Sequence, residues 1–201
     1  MVSLLEIPTL IPRTLLVDPP LSDDEFERLS ERSNFTCFER SKEGTILMNP
    51  PAGALTSSGN VEILRQLSNW WLQHRRGRVL GSDAGFFLPD GSMLSPDAAY
   101  VTAEQLQGLT HAQLERFLRL APAFVVELRS PSDLLAACKE KMESWMANGV
   151  QLGWLVDPKA RRVFVYEPDA EVRIETGSEV HGSGPVAGFV LDLLEVWICF
   201  E

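Results

Sequence analysis

The period of the apolar positions changes several times along the chain, and each change marks an element. Ile63, Leu64, Leu67, Trp70 and Trp71 fall at i, i+1, i+4, i+7 and i+8, the stripe of an amphipathic helix. The spacing predicts a long helix from about Ser58 to Arg76, closed by Gly77. Its tryptophan pair reads as core packing. Upstream, Ser22 and Glu25 form a capping box, with Leu21 and Phe26 placed as a hydrophobic staple, so a helix is expected from Ser22 to about Arg32. FTCFER (35–40) and TILMNP (45–50) are short β-like runs. Ser41–Gly44 links them as a hairpin, with Gly44 free to take positive φ. Residues 1–21 are apolar and proline-rich with no period, which predicts an extended arm.

After Gly77 the pattern turns to β, around Val79, Phe86–Leu88 and Leu94–Val101, with Pro89-Asp90-Gly91 as the turn between the last two. Thr102 and Gln105 make another capping box, opening a helical region through about Leu120 that Pro122 breaks. AFVVELRS (123–130) is a short valine-bearing run suited to a buried central strand. SPSD (130–133) is expected to cap a helix from Leu134 to Asn148, with Gly149 just past its end. VQLGWLVDP is the next strand, turning through KARR into RVFVYEP; EVRIET is a further short strand. GSEVHGSGP reads as a loop, and GFVLDLLEVWICF as a closing strand or turn of helix. The order of elements predicts an α/β protein, one domain over 22–201 behind an arm over 1–21.

Composition narrows the function classes. The chain has 201 residues, is 45% hydrophobic and carries a net charge of −10. That charge opposes generic nucleic-acid binding, which relies on neutralising phosphates, although HRRGR (74–78), Lys139 with Lys141, and KARR (159–162) leave room for a local basic face. Three separated cysteines without a CxxC exclude a zinc ribbon or a disulfide framework and fit a reducing compartment. No apolar run approaches the roughly 18 residues of a membrane span, and the start lacks a basic leader, so a cytoplasmic protein is expected. The histidines have no ligand spacing, and GxSxG, HExxH, Walker A and GxGxxG motifs are missing.

What remains is a set of charges around two strands. Glu127 interrupts the apolar run 123–130, and a carboxylate on a buried strand is costly unless paired or metal-bound. Strand alternation puts it on one face with Ala123, Val125 and Arg129. Asp97, alone, would be a Pro-Asp turn; beside Glu127 it makes a two-carboxylate set suited to Mg²⁺ (or Mn²⁺). Lys139 and Lys141 lie off opposite edges of the apolar arc of helix 134–148, so the wheel does not choose between them. Glu62 reads first as surface charge and secondarily as a further acid that could face the site, and Ser130 reads as a cap rather than a nucleophile.

Four segments in order, SPDAAYV, FVVELRSPSD, EKMESWMANGVQLGWLVDP and RRVFVYEP, resemble the Uma-two (Uma2) family of restriction-endonuclease-like proteins, within the PD-(D/E)XK nuclease superfamily. The resemblance covers roughly residues 22–198. It implies a mixed central β-sheet flanked by helices, restriction-endonuclease-like, with a Mg²⁺-dependent site for DNA. Asp97 and Glu127 match the family's two metal-holding acids. The superfamily's lysine, two residues after the second acid, is replaced here by Arg129, which keeps charge but cannot act as a base and becomes a candidate phosphate binder. The family resembles variants whose lysine stands on the following helix, and on that basis Lys141 is chosen. The implied function is a Mg²⁺-dependent DNA endonuclease with Asp97, Glu127 and Lys141 as catalytic residues. Arg129 keeps open an alternative, a weak or inactive nuclease fold serving as an interaction or regulatory module. The apolar arm and the C-terminal WICF suggest a homodimer.

Overall fold

A computed structural model describes residues 14–32 and 37–201. The chain begins with β1 (Thr14–Leu15), α1 (Asp23–Glu31), β2 (Cys37–Arg40), β3 (Ile46–Asn49) and α2 (Ala54–His74). It continues through β4 (Arg78–Gly81), β5 (Phe86–Phe87), β6 (Met93–Leu94), β7 (Ala98–Val101), α3 (Ala103–Leu106) and α4 (His111–Leu114). Then come β8 (Phe124–Leu128), α5 (Leu135–Ala147), β9 (Leu152–Asp157), β10 (Arg162–Tyr166), β11 (Arg173–Glu175), β12 (Glu179–His181), β13 (Val190–Asp192) and α6 (Leu193–Ile198).

The valine-rich run at 124–128 is the reason for the central sheet. Buried on both faces, it pairs antiparallel with β7 and parallel with β9, α5 making the crossover. The sheet runs β11-β10-β9-β8-β7-β4. On one face Phe124, Val126 and Trp154 pack against Ile63, Leu67 and Trp70 of α2 and against Leu193 and Trp197. On the other, Val125 and Leu155 meet Met142 and Trp145 of α5. Each such side chain, fully buried, contributes about 1.5–3 kcal/mol relative to exposure. A smaller sheet, β1-β3-β2-β6-β5, packs Ile46, Phe87 and Met93 against Phe26 of α1. β12 and β13 form a separate ribbon.

The mixed α/β architecture agrees with expectation, but several elements differ. The run 94–101 is two strands in two sheets, because Ser95-Pro96-Asp97 carries the chain from β6 across to β7. The region after Thr102 is two one-turn helices, the second with its own capping box, Thr110 with Gln113. SPSD does not cap α5. Ser130 N–H donates to the Asp133 carboxylate in a closed turn, and the N-cap position is Leu134, with no side-chain bond. The expected loop 177–185 contains β12, held by its pairing with β13.

α2 starts at Ala54, four residues before Ser58. Its Gly59 fits against the core where a Cβ would lie 2.7 Å from Leu128 and 2.8 Å from Phe200. Arg75, not Gly77, takes the left-handed position that ends α2.

Of the arm, Thr14–Leu15 pairs with β3; residues 1–13, and 35–36 of FTCFER, lie outside the described residues. In WICF, Trp197 is buried and Phe200 packs on the same core, leaving Ile198 exposed. Among the described residues no helix is long and apolar enough to cross a membrane.

Candidate functional site

Antiparallel pairing of Ala98 with Val126 puts the residue before β7 beside the end of β8. Asp97 is that residue. Its Oδ2 accepts from the Leu128 N–H at 2.7 Å and its Oδ1 from Asn60 Nδ2 of α2 at 2.8 Å. Burial pushes its carboxyl above the usual aspartate range, against the pull of Lys141 and of these two donors.

Glu127 points from β8 toward α5 and is 8% exposed. Its Oε1 accepts from Trp145 Nε1 at 2.8 Å, and Lys141 Nζ lies 3.0 Å from Oε1 and 3.1 Å from Oε2. Lys141 and Trp145 stand four apart on α5, hence on one face. Burial pushes Glu127 up to about 8; Lys141 draws it down, while Asp97 and Glu39 push it further up.

Lys141 Nζ also donates to Ser95 O at 2.8 Å and lies 2.8 Å from Glu39 Oε1. Burial alone would lower its pKa. The Glu127 and Glu39 carboxylates outweigh that and hold the ammonium well above the usual lysine range. A quarter of the side chain remains exposed, so the centre is open to solvent at this point. Lys139, about 200° away on the helix, sits 4.5 Å over the Phe164 ring. The helix thus turns Lys141 into the carboxylate cluster and Lys139 away from it.

Two other candidates are engaged elsewhere. Arg129 Nη1 meets Asp157 Oδ1 at 3.1 Å, and Nε and Nη2 donate to Asp133 O at 3.2 and 3.1 Å. Asp157 is fully buried and also accepts from Arg162. The Arg129 guanidinium therefore ties the ends of β8 and β9 to the 130–133 turn. Glu62 pairs with Arg65 and Gln66 on its own helix; two positions earlier, Asn60 is the α2 residue that reaches Asp97.

Glu39, Asn60 and Trp145 went unnoticed in the sequence. Trp145 reads there as core, which it also is. Asn60 lies just ahead of the apolar stripe, with nothing to separate it from a surface asparagine. Glu39 carried one usable signal, an acid inside a short strand, but nothing local links it to Lys141, over a hundred residues downstream.

Two carboxylates, those of Glu39 and Glu127, therefore contact one ammonium, and Asp97 acts on it through its charge alone. Among the described residues, no three His, Cys, Asp or Glu side chains are arranged as a ready metal cage. A two-carboxylate site still fits a hard divalent cation such as Mg²⁺, which takes one or two protein carboxylates and completes its shell with water and phosphate. The raised carboxyls of Asp97 and Glu127 fit it too, since added positive charge would offset both burial and mutual repulsion.

An acid just before β7 and another on the adjacent β8 of a mixed sheet, with a lysine from the crossover helix, define a restriction-endonuclease-like α/β protein. The Uma2 family model, described as "Putative restriction endonuclease", matches residues 23–194, and the chain belongs to this family. Among solved structures it is similar to "a putative nuclease belonging to DUF820" from Anabaena variabilis. The TM-score is 0.71 at 19% identity, covering 90% of this chain and all of that one. That likeness is one of fold. No curated protein matches the chain.

Proposed function

We propose that the protein is a divalent-cation-dependent nuclease that hydrolyses phosphodiester bonds of DNA. The observation carrying this reading is the convergence of Asp97, Glu127 and the Lys141 ammonium at one end of the central sheet, in a chain of a nuclease-like family. Asp97 and Glu127 would hold Mg²⁺ or Mn²⁺. Such an ion, when bound, eases deprotonation of water and offsets negative charge on the phosphate.

The chain's own residues supply the rest. Leu128 N–H and Asn60 fix the Asp97 carboxylate, and Trp145 fixes that of Glu127. Held as an ammonium, Lys141 is a donor and not a base. Its positive charge, held in place by Glu127, Glu39 and the Ser95 carbonyl, stabilises the negative charge that grows on the phosphoryl oxygens. In the reaction the water oxygen bonds to phosphorus and one P–O ester bond breaks. The water's proton leaves to solvent, and the departing alkoxide takes up a proton.

A second reading, a nuclease fold without turnover, is favoured by one observation: both Asp97 oxygens already accept protein hydrogen bonds. The test is purified protein with supercoiled and single-stranded DNA, in Mg²⁺, in Mn²⁺ and in EDTA, beside Asp97→Asn. Cation-dependent cleavage lost in Asp97→Asn supports the enzyme. Intact DNA together with calorimetry showing no Mn²⁺ binding supports the second reading.

A further inference from the structure

The smaller sheet sends one side chain into the site. Glu39, on β2, is 6% exposed. Its Oε1 accepts from the Ser95 N–H at 3.0 Å and lies 2.8 Å from Lys141 Nζ, while Oε2 accepts from Asn49 Nδ2 of β3 at 2.9 Å. Ser95 in turn accepts from Lys141 through its carbonyl. Glu39, Ser95 and Lys141 thus close a ring across β2, the β6–β7 link and α5. With Glu127 the ring occupies all three protons of the ammonium. Ser95 stands two residues before Asp97, so the bond that holds Ser95 also fixes where Asp97 enters the site.

The next residue on β2 shows how firmly Glu39 is set. Arg40 donates to Leu21 O and Gly91 O, pairs with Asp23, and lies 5.4 Å from the Phe26 and Phe87 rings. The strand is anchored on its other face, which leaves Glu39 little freedom to turn away.

We infer that Glu39 is a positioning residue of the nuclease centre: it fixes the Lys141 ammonium and the Ser95–Asp97 link, and makes the smaller sheet a working part of the site. This rests on the function proposed above. Glu39 binds no phosphate and touches no reacting atom in this role; it acts through Lys141 and Asp97.

A two-part experiment tests it. Glu39→Ala, Glu39→Gln and Asn49→Ala are compared with wild type for the slowly exchanging Lys141 ammonium resonance in nitrogen-15 spectra, assigned by its loss in Lys141→Arg. The same proteins are compared for cleavage of DNA in Mn²⁺. In Glu39→Ala the resonance is expected to disappear, with kcat down about tenfold or more and KM within about twofold, as for a misplaced group. Glu39→Gln keeps an acceptor for Lys141 and Ser95 and should recover part of both. Should Glu39→Ala not fold, Glu39→Gln and Asn49→Ala decide, each showing a weakened resonance. An unchanged resonance and unchanged kcat in the folded variants would overturn the inference. A wild type that cuts no DNA removes the proposed function instead, and the resonance then decides alone whether Glu39 positions Lys141.

Discussion

Trp145 donates its indole N–H to Glu127 Oε1 at 2.8 Å while its ring is fully buried and packs T-shaped with Phe86. One side chain therefore serves the core and orients a carboxylate. Trp145→Phe keeps most of the apolar volume and removes the donor. Stability in urea should fall by about 1–3 kcal/mol, the cost of an under-satisfied buried acceptor plus a small void. Trp145→Phe in a Glu127→Gln background should cost less, and a double-mutant cycle measures the difference.

The metal-free protein should lose stability as pH rises from about 4.5 to about 8. The Glu127 carboxyl has an ordinary value of 4.5 and is pushed by burial to about 8 in the folded chain. Between those values the folded state holds a proton that the unfolded state has released. The stability slope against pH is then negative, and it levels off above about 8. Asp97, also raised, acts in the same direction. Asp23, Asp24 and Asp90 are lowered, so their contribution is lost only in more acid solution, as pH falls below the ordinary aspartate value of 3.8. Urea midpoints in EDTA across this range should decline for wild type and decline less for Glu127→Gln. A flat wild-type profile would show that Glu127 is ionised throughout.

How much of this was legible in the sequence follows the range of each interaction. Local signals held well. The Ser22–Glu25 and Thr102–Gln105 boxes, the hairpin turn after Arg40 and the buried strand 124–128 are set by residues within a few positions of one another. Sheet membership was less legible: 94–101 reads as one strand, and although Pro96-Asp97 is a local turn signal, only tertiary packing sends its two halves into different sheets. The site divides the same way. Glu127 announced itself as an acid in an apolar run. Lys141 was chosen over Lys139 by resemblance, and the fold separates the two by what surrounds them, Glu39 and Glu127 against the Phe164 ring. Glu39 and Asn60 join the site through contacts that no local pattern encodes.

Arg129→Gln should behave as a structural substitution. It removes the partner that Asp157, fully buried, meets at 3.1 Å, and frees the carbonyl of Asp133. Arg162 remains beside Asp157, so the loss should be about 1–3 kcal/mol rather than that of an unpaired buried charge. Thermal melting measures this. If Arg129 instead reaches phosphate during binding, KM for DNA rises while melting stays near that of wild type.

Substituting the two lysines of α5 separates their roles even in the absence of cleavage. Lys139→Met removes a cation from the Phe164 face, a contact worth about 0.5–1 kcal/mol at a partly exposed position. The protein should fold and melt almost as wild type does. Lys141→Met strips the buried Glu39 and Glu127 of their common counter-charge, and loss of one partner from such a cluster costs about 3–5 kcal/mol. Mn²⁺ should then raise the melting temperature of Lys141→Met more than that of wild type, because the cation meets carboxylates that have lost their ammonium. Equal melting of the two variants in EDTA would mean that Lys141 leaves the cluster in solution, and that Glu39, Glu127 and Lys141 do not form one site.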